Sequence, residues 1–398
     1  MHRAENMPLS NDPAPSLAEA AERLAPALIA LRRDLHAHPE LGFEERRTAG
    51  IVAAELARLG IPHRTGVGRT GVVGEIRGAR PGPVLAIRAD MDALPIEEET
   101  GLPFASTIPG RMHACGHDIH TATLLGVAAV LSGMADQLAG TVRLIFQPAE
   151  ELLEGAEAMI ADGAAEGIDM ALGFHNMPDM PVGSLGFVRG AALAASDRFD
   201  ITLQGKSGHA AHPYAAIDPI IAAAQLITQL QTVVSREQKP THPCVVTVGM
   251  VQGGSTYNII PERVALKGTV RTLHREAREV AEAAIRRLCE GIAAGLRVGV
   301  ELSYRRMVPS LVNDPALLER AVASLAAQFD TPPLEREPSM GAEDFSAFAD
   351  RVPSFHLLVG SGAPGREDRL HNARYQPDEG CIAQGVQALC RIAVDLLR

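Results

Sequence analysis

The most restrictive feature of this sequence is the set of acids and histidines placed directly after its apolar strands. Residues 84–89 (VLAIRA) run into Asp90 and Asp92, and 141–146 (TVRLIF) are followed by Pro148, Glu150 and Glu151. Residues 170–174 (MALGF) lead to His175, and 355–359 (FHLLV) lead through a Gly-rich loop to His371. Near-continuous apolar strands suit a sheet covered on both faces. Helical periodicity at 17–36, 48–59, 120–131, 315–328 and 379–397 supplies the covers. Strands alternating with helices in this way predict an α/β fold with a mostly parallel sheet. Active sites in open α/β sheets form beyond the carboxyl ends of the strands. Acids and histidines after four strands therefore point to one site. A fifth group, Cys115 and His117 in MHACGHDIH, precedes the helix at 120–131.

The middle of the chain has a different rhythm. A strand at 198–203, a helix at 215–234, strands at 245–251 and 263–271, a helix at 275–294 and a strand at 298–304 give the split βαβ order of a ferredoxin-like unit. The chain's 398 residues also exceed what one ordinary core accommodates. The expected organisation is a discontinuous catalytic domain, 17–189 and 306–398, interrupted by an inserted α+β domain at 190–305. A flexible polar tail is expected at 1–16. That tail lacks the apolar core of a signal peptide, and no apolar run approaches the roughly 20 residues that span a bilayer, so the expectation is a cytoplasmic protein. A formal charge of −11 argues against nucleic acid or an anionic membrane as the main partner.

Five scattered cysteines in a chain of this kind do not suggest a disulfide framework. Cys115 differs from the others because its neighbours are histidines and an aspartate. Thiolate, imidazole and carboxylate are ligands for zinc, nickel, cobalt or manganese. Cys115, His117, Glu151, His175 and His371 are too many for one tetrahedral ion, and suit two divalent ions about 3.5–4 Å apart with a shared water. Adjacent acids such as Glu150 and Glu151 are most often a solvated surface. Here Pro148 ends the strand and lets the backbone turn, so that one can ligate while the other serves as general base and acid.

RRDLHAHPELGFEE, RADMDALP, MHACGHDIHTA, QPAEE, FHNMP, SGHAAHP, NIIPE, MGAEDFS and LHNARY occur in this order. As an ordered set they closely resemble the M20 metallopeptidase superfamily, in the branch of N-acyl-amino-acid amidohydrolases that includes hippurate and auxin-conjugate hydrolases. The resemblance covers nearly the whole chain after the N-terminal tail. It implies an aminopeptidase-like two-metal catalytic domain with Cys115, His117, Glu151, His175 and His371 as ligands and Glu150 as general base. Asp92 matches an aspartate that orients a metal ligand. His209 matches a histidine that donates to the developing oxyanion, and Asn258 a substrate-binding asparagine. Arg271, in GTVR, has the fork to meet a substrate carboxylate. The inserted domain then acts as a lid and dimerisation module, giving a homodimer or dimer of dimers, and the oxyanion histidine can come from the partner. The chain departs from the wider superfamily in having Asp90 where a ligating histidine is usual. Ser207 replaces a glycine, and Tyr214 stands where relatives often place a histidine.

The expected activity is hydrolysis of N-acetyl or N-benzoyl amino acids. The alternatives are a dipeptidase or aminopeptidase-type activity, a Cys115 nucleophile with a histidine base, and a catalytically silent metal-dependent binding protein. A free acid beside Glu151 argues against the last. His36, His38 and Glu40 are as suited to structural roles as to catalysis. His113, Asp118 and His120 are expected to orient the ligand loop or cap the following helix. Glu343 and Asp344 are either a site wall or a helix cap. His356 reads as incidental.

Overall fold

The protein is described from a computed structural model covering residues 16–366 and 369–398. The expected tail lies outside these residues except for Ser16. This serine caps the Leu17–Ala37 helix in a capping box with Glu19.

An eight-stranded sheet organises the larger part. Its centre is four parallel strands in the spatial order Ala139–Gln147, Arg80–Asp90, Met170–Pro181 and Ser354–Gly362. Two antiparallel strands, Gly71–Arg77 and His63–Val67, extend one side. Leu185–Phe187 and Leu334–Glu335 extend the other. The apolar strands bury both faces. Val142, Leu144 and Phe146 join Leu85 and Ile87 in a core with the Leu17–Ala37, His117–Ser132 and Gly380–Leu396 helices. Ile145 and Ala86, of opposite parity, join Met159, Phe345 and Phe348 in a second core.

The sheet departs from expectation at Met170–Pro181, which continues through His175 rather than ending before it. Pairing with Arg80–Asp90 stops at Leu172, while pairing with Ser354–Gly362 runs on to Pro181. One side of the strand is thus open from Phe174 onward, and there the Cys115–His120 segment packs. The helix expected at 120–131 begins earlier, at His117, and its cap is the left-handed Gly116 rather than a side chain.

A separate four-stranded antiparallel sheet lies between 195 and 308, in the order Cys244–Gly253, Arg263–Thr272, Ala195–Gln204, Gly299–Val308. Helices Pro219–Thr232 and Arg275–Leu296 cover one face, and Phe199, Ile201, Leu226, Leu266 and Ile285 form its own core. This is the ferredoxin-like arrangement. The chain enters and leaves it through a two-stranded ribbon in which Ala191–Leu193 pairs with Leu311–Val312. All five cysteines are buried and free. Among the described residues no helix is long and apolar enough to cross a membrane.

Candidate metal and active site

The turn after Ala139–Gln147 decides where its two acids go. Ala149 takes φ +51° directly after Pro148, and the chain reverses. The backbone N–H groups of Glu150 and Glu151 then donate to the two oxygens of Asp92, at 3.1 and 3.0 Å. Glu45 steadies the same turn by accepting from the Ala149 N–H at 2.8 Å. Asp92 also lies 3.2 Å from His117 Nδ1. A carboxylate acceptor puts the proton on Nδ1 and leaves the Nε2 lone pair free.

Cys115 owes its position to Gly116. With φ +89°, this residue admits no side chain, since a Cβ would stand 2.3 Å from the Asn176 amide nitrogen. Cys115 Sγ lies 3.4 Å from His175 Nε2. His175 Nδ1 donates to the Asn176 carbonyl at 2.7 Å, so its Nε2 is also free to coordinate. His371, at φ +59°, donates its backbone N–H to the Ala114 carbonyl at 2.8 Å, and its Nε2 stands 3.3 Å from Glu151 Oε1.

The five expected ligands therefore fall into two overlapping sets, Cys115–His117–His175 and Cys115–Glu151–His371, the donor atoms of each set lying within 4.8 Å of one another. Cys115 belongs to both. His117 Nε2 and Glu151 Oε1 are buried with no hydrogen-bond partner. Buried polar atoms are rarely left so. These two orphaned atoms, clustered with the Cys115 sulfur and the His175 and His371 imidazoles, fit first-row divalent ions.

Around this cluster is a buried shell whose pairings no local pattern in the sequence reveals. Arg88, inside an apolar strand, donates to Gln147 at 2.9 Å, Asp90 at 2.6 Å and Asp344 at 2.7 Å, and pairs with Glu343 at 2.8 Å. Its position in VLAIRA was the available signal, because a charge in a two-faced apolar strand must have partners. Asp90, whose role the sequence left open, also accepts from His120 Nδ1 at 2.5 Å. His120 Nε2 in turn accepts from the Asn176 backbone at 3.0 Å. With both nitrogens engaged, His120 anchors the strands. Asn176 further bonds the Cys115 carbonyl at 2.8 Å and accepts from the Tyr375 hydroxyl.

Glu343 and Asp344 form a wall of the site. The carboxylates of Glu150, Glu343 and Asp344 all lie within 4.8 Å of one another. Burial, with Glu343, Asp344 and Glu151 nearby, holds the Glu150 carboxyl well above its ordinary range. Burial likewise pushes Asp344 up to about 7, with Arg88 opposing. His356 is fully buried beside Glu343 with both ring nitrogens unbonded, so its surroundings are those of the site wall.

Of the other motif histidines, His113 is buried with both ring nitrogens unbonded, whereas His36 and His38 have structural partners. His36 bonds Asp118 at 2.7 Å, and Arg32 pairs with the same carboxylate at 2.7 Å. His38 bonds the Asp34 carbonyl at 2.8 Å. Glu40 accepts from the Arg47 and Thr48 backbone at 2.9 and 2.8 Å. Asp118 is not the N-cap residue of its helix, but its carboxylate accepts from the first-turn Ile119 N–H at 2.9 Å.

The remaining expected site residues lie on the smaller sheet's unit and are not brought to the cluster. His209 and Asn258 are exposed on a short ribbon in which His209 pairs with Ile259. Arg271 lies in Arg263–Thr272, opposite Ser196. Among the described residues, none of the three has a hydrogen bond or ion pair to the cluster.

Residues 86–395 match the model of peptidase family M20/M25/M40. The chain is 42% identical to an N-acetylcysteine deacetylase of Bacillus subtilis, over 93% of this chain and 97% of the relative. It is 37% identical to an IAA-amino acid hydrolase of Arabidopsis thaliana, over 93% and 85% respectively. A crystal structure of the Bacillus subtilis YXEP protein, described as a dinuclear metal binding peptidase from the M20 family, superimposes with a TM-score of 0.84 at 40% identity, covering 94% of this chain and 99% of that one. The chain belongs to the M20/M25/M40 peptidase family.

Proposed function

We propose that this amidohydrolase of the M20 family cleaves the amide bond of N-acyl amino acids of the N-acetyl or N-benzoyl kind. The observation that carries the reading is the membership of Cys115 in both ligand sets, with the Glu150 carboxylate beside His117 and Glu151. The likeness to a deacetylase of N-acetylcysteine and a hydrolase of IAA-amino acids supports an amino acid bearing an acyl group.

Cys115, His117, Glu151, His175 and His371 would hold two divalent ions, zinc, manganese, nickel or cobalt, which supply polarisation of the scissile carbonyl and an acidified water. Glu150 takes the water's proton on its carboxylate and delivers it to the departing nitrogen. Asp92 keeps both backbone N–H groups of the turn and the His117 ring in place throughout. Asn258 and Arg271 contact the substrate, the latter through its carboxylate.

His209 is assigned to donate to the carbonyl oxygen as charge develops there. Its exposure, far from any bond with the cluster, supports a donor that reaches the site of a partner subunit. A dimer through the smaller sheet is supported by the Cys244–Gly253 strand, which among the described residues pairs on one side only. Met250 and Val251 on that strand, and Ile220 and Ile221 on the neighbouring helix, are exposed.

The test is Glu150→Gln in metal-reconstituted enzyme, assayed on N-acetyl and N-benzoyl amino acids. The expected result is full metal content with kcat reduced by about 10²–10⁴. A near-normal kcat would remove Glu150 from the mechanism.

A further inference from the structure

The helices cover only one face of the smaller sheet. The other face carries side chains of opposite parity to the core, and two arginines meet there. Register places Arg271 opposite Ser196 and Arg198 opposite Thr269, so they are diagonal neighbours on paired strands. Side chains at that spacing are within mutual reach, and like charges repel. Neither guanidinium has an ion pair or hydrogen bond among the described residues, and Arg271 Nη1 is buried without a partner.

The nearby acids are already engaged. Asp197 turns to the helical face, where Arg278 pairs with it at 2.5 Å and the Tyr304 hydroxyl donates to it at 2.7 Å. Asp200 is shared by Lys267 at 3.6 Å and Arg305 at 3.8 Å. Burial and the neighbouring Arg198 both work against the charge on Arg271. A buried guanidinium nitrogen facing a second cation costs stability unless an anion visits.

The strand that carries Arg198 starts beside the wall of the site. Ala194, which precedes Ala195–Gln204, donates to the Gly341 carbonyl at 2.7 Å. Two residues after Gly341 comes Glu343, whose carboxylate borders that of Glu150. Ser196 and Arg198 thus come directly after the point where the smaller sheet is tied to the wall of the site. A concavity of about 460 Å³ opens beside Arg198, lined also by Asp200, Thr247, Lys267, Thr269 and Arg305, with Arg271 outside its lining.

One guanidinium fork is enough for one carboxylate. A second, uncompensated one beside it asks for another negative group. We propose that Arg198 and Arg271 together receive a dicarboxylate, so that the enzyme favours N-acyl amino acids bearing a carboxylate beyond the α-carboxylate. The extra carboxylate belongs either to the amino-acid side chain or to the acyl group. This rests on the reading of Arg271 as the receptor of the substrate's α-carboxylate.

The experiment compares kcat/KM within two pairs of substrates, N-acetyl-L-glutamate against N-acetyl-L-glutamine and N-succinyl-L-alanine against N-butyryl-L-alanine. The wild type should favour the dianion in at least one pair, and the pair that responds identifies where the second carboxylate sits. Arg198→Gln should cut that preference by about tenfold or more, the scale of one lost charge-assisted hydrogen bond. Arg198→Lys should retain part of it. A purely structural Arg198 would lower both members of a pair alike, so an unchanged ratio in Arg198→Gln overturns the proposal. So does a wild type with no preference in either pair.

Calorimetric binding of glutarate against butyrate requires no turnover. Tighter binding of glutarate that Arg198→Gln abolishes supports the site even if every N-acyl amino acid resists hydrolysis, a result that would defeat the proposed function instead. Robust hydrolysis without discrimination would leave that function standing and defeat this site.

Discussion

The metal cluster and the exposed ribbon carrying His209 are built on opposite terms. At the cluster nearly every polar group is held by another. Asp92 fixes the Glu150–Glu151 turn and His117, Asn176 fixes His120 and the Cys115 carbonyl, and Arg88 ties three acids to the central sheet. His209 and Asn258 are exposed, and their bonds are local, to Ala211 and Thr256. The contrast teaches that one chain can organise a candidate metal site in advance, whereas the proposed contact of His209 with the acyl carbonyl requires a part that must arrive. A rigid ligand shell preserves geometry, and a donor that arrives late can act on the transition state more than on the resting enzyme.

If that division is right, damage on the two sides should look different. His209→Ala should lower kcat by about 10²–10³, the usual loss of one oxyanion donor, with metal content unchanged by elemental analysis. Loss of metal in that variant would break the division. Arg88→Met should instead act through the fold, because Asp90, Glu343 and Asp344 would remain buried without their cation. A loss of about 3–5 kcal/mol is expected in urea unfolding. Asp92→Ala should free both the turn and the His117 ring and weaken metal binding by about 10–100-fold in competition with a chelator. The smallest effect concerns pH. Burial works against the charge on His36, but its bonds to Asp118 and Glu98 outweigh this and raise its pKa in the folded protein. Its stabilisation is therefore present below the ordinary histidine pKa and fades as pH rises through the raised one. The stability deficit of His36→Gln relative to wild type should accordingly be larger at pH 6 than at pH 9 in urea unfolding. A deficit independent of pH would show that His36 is held neutral.

The five candidate ligands could be picked out in the sequence because each is local to a strand end or a helix start, and the structure brings their donor atoms together. The Glu150–Glu151 turn was legible through Pro148, although the φ of Ala149 that completes it was not. The shell was illegible for a topological reason. Arg88 and Asp344 are 256 residues apart and become neighbours only when the parallel strands are stacked in order. His175 inside a longer strand was missed because its apolar stretch ends at Phe174, while the pairing that prolongs the strand comes from Ser354–Gly362. The relation of His209 to the cluster is not encoded locally at all, since among the described residues no bond joins the two.

The central claim, a complete metal cluster in one chain awaiting a donor from another, is tested most directly by mixing. A Glu150→Gln subunit and a His209→Ala subunit, each inactive alone, are combined and the heterodimer isolated by differential tags. Donation in trans leaves one intact site in two, so about half the wild-type turnover should return. A confirmed heterodimer with no activity would contradict the claim.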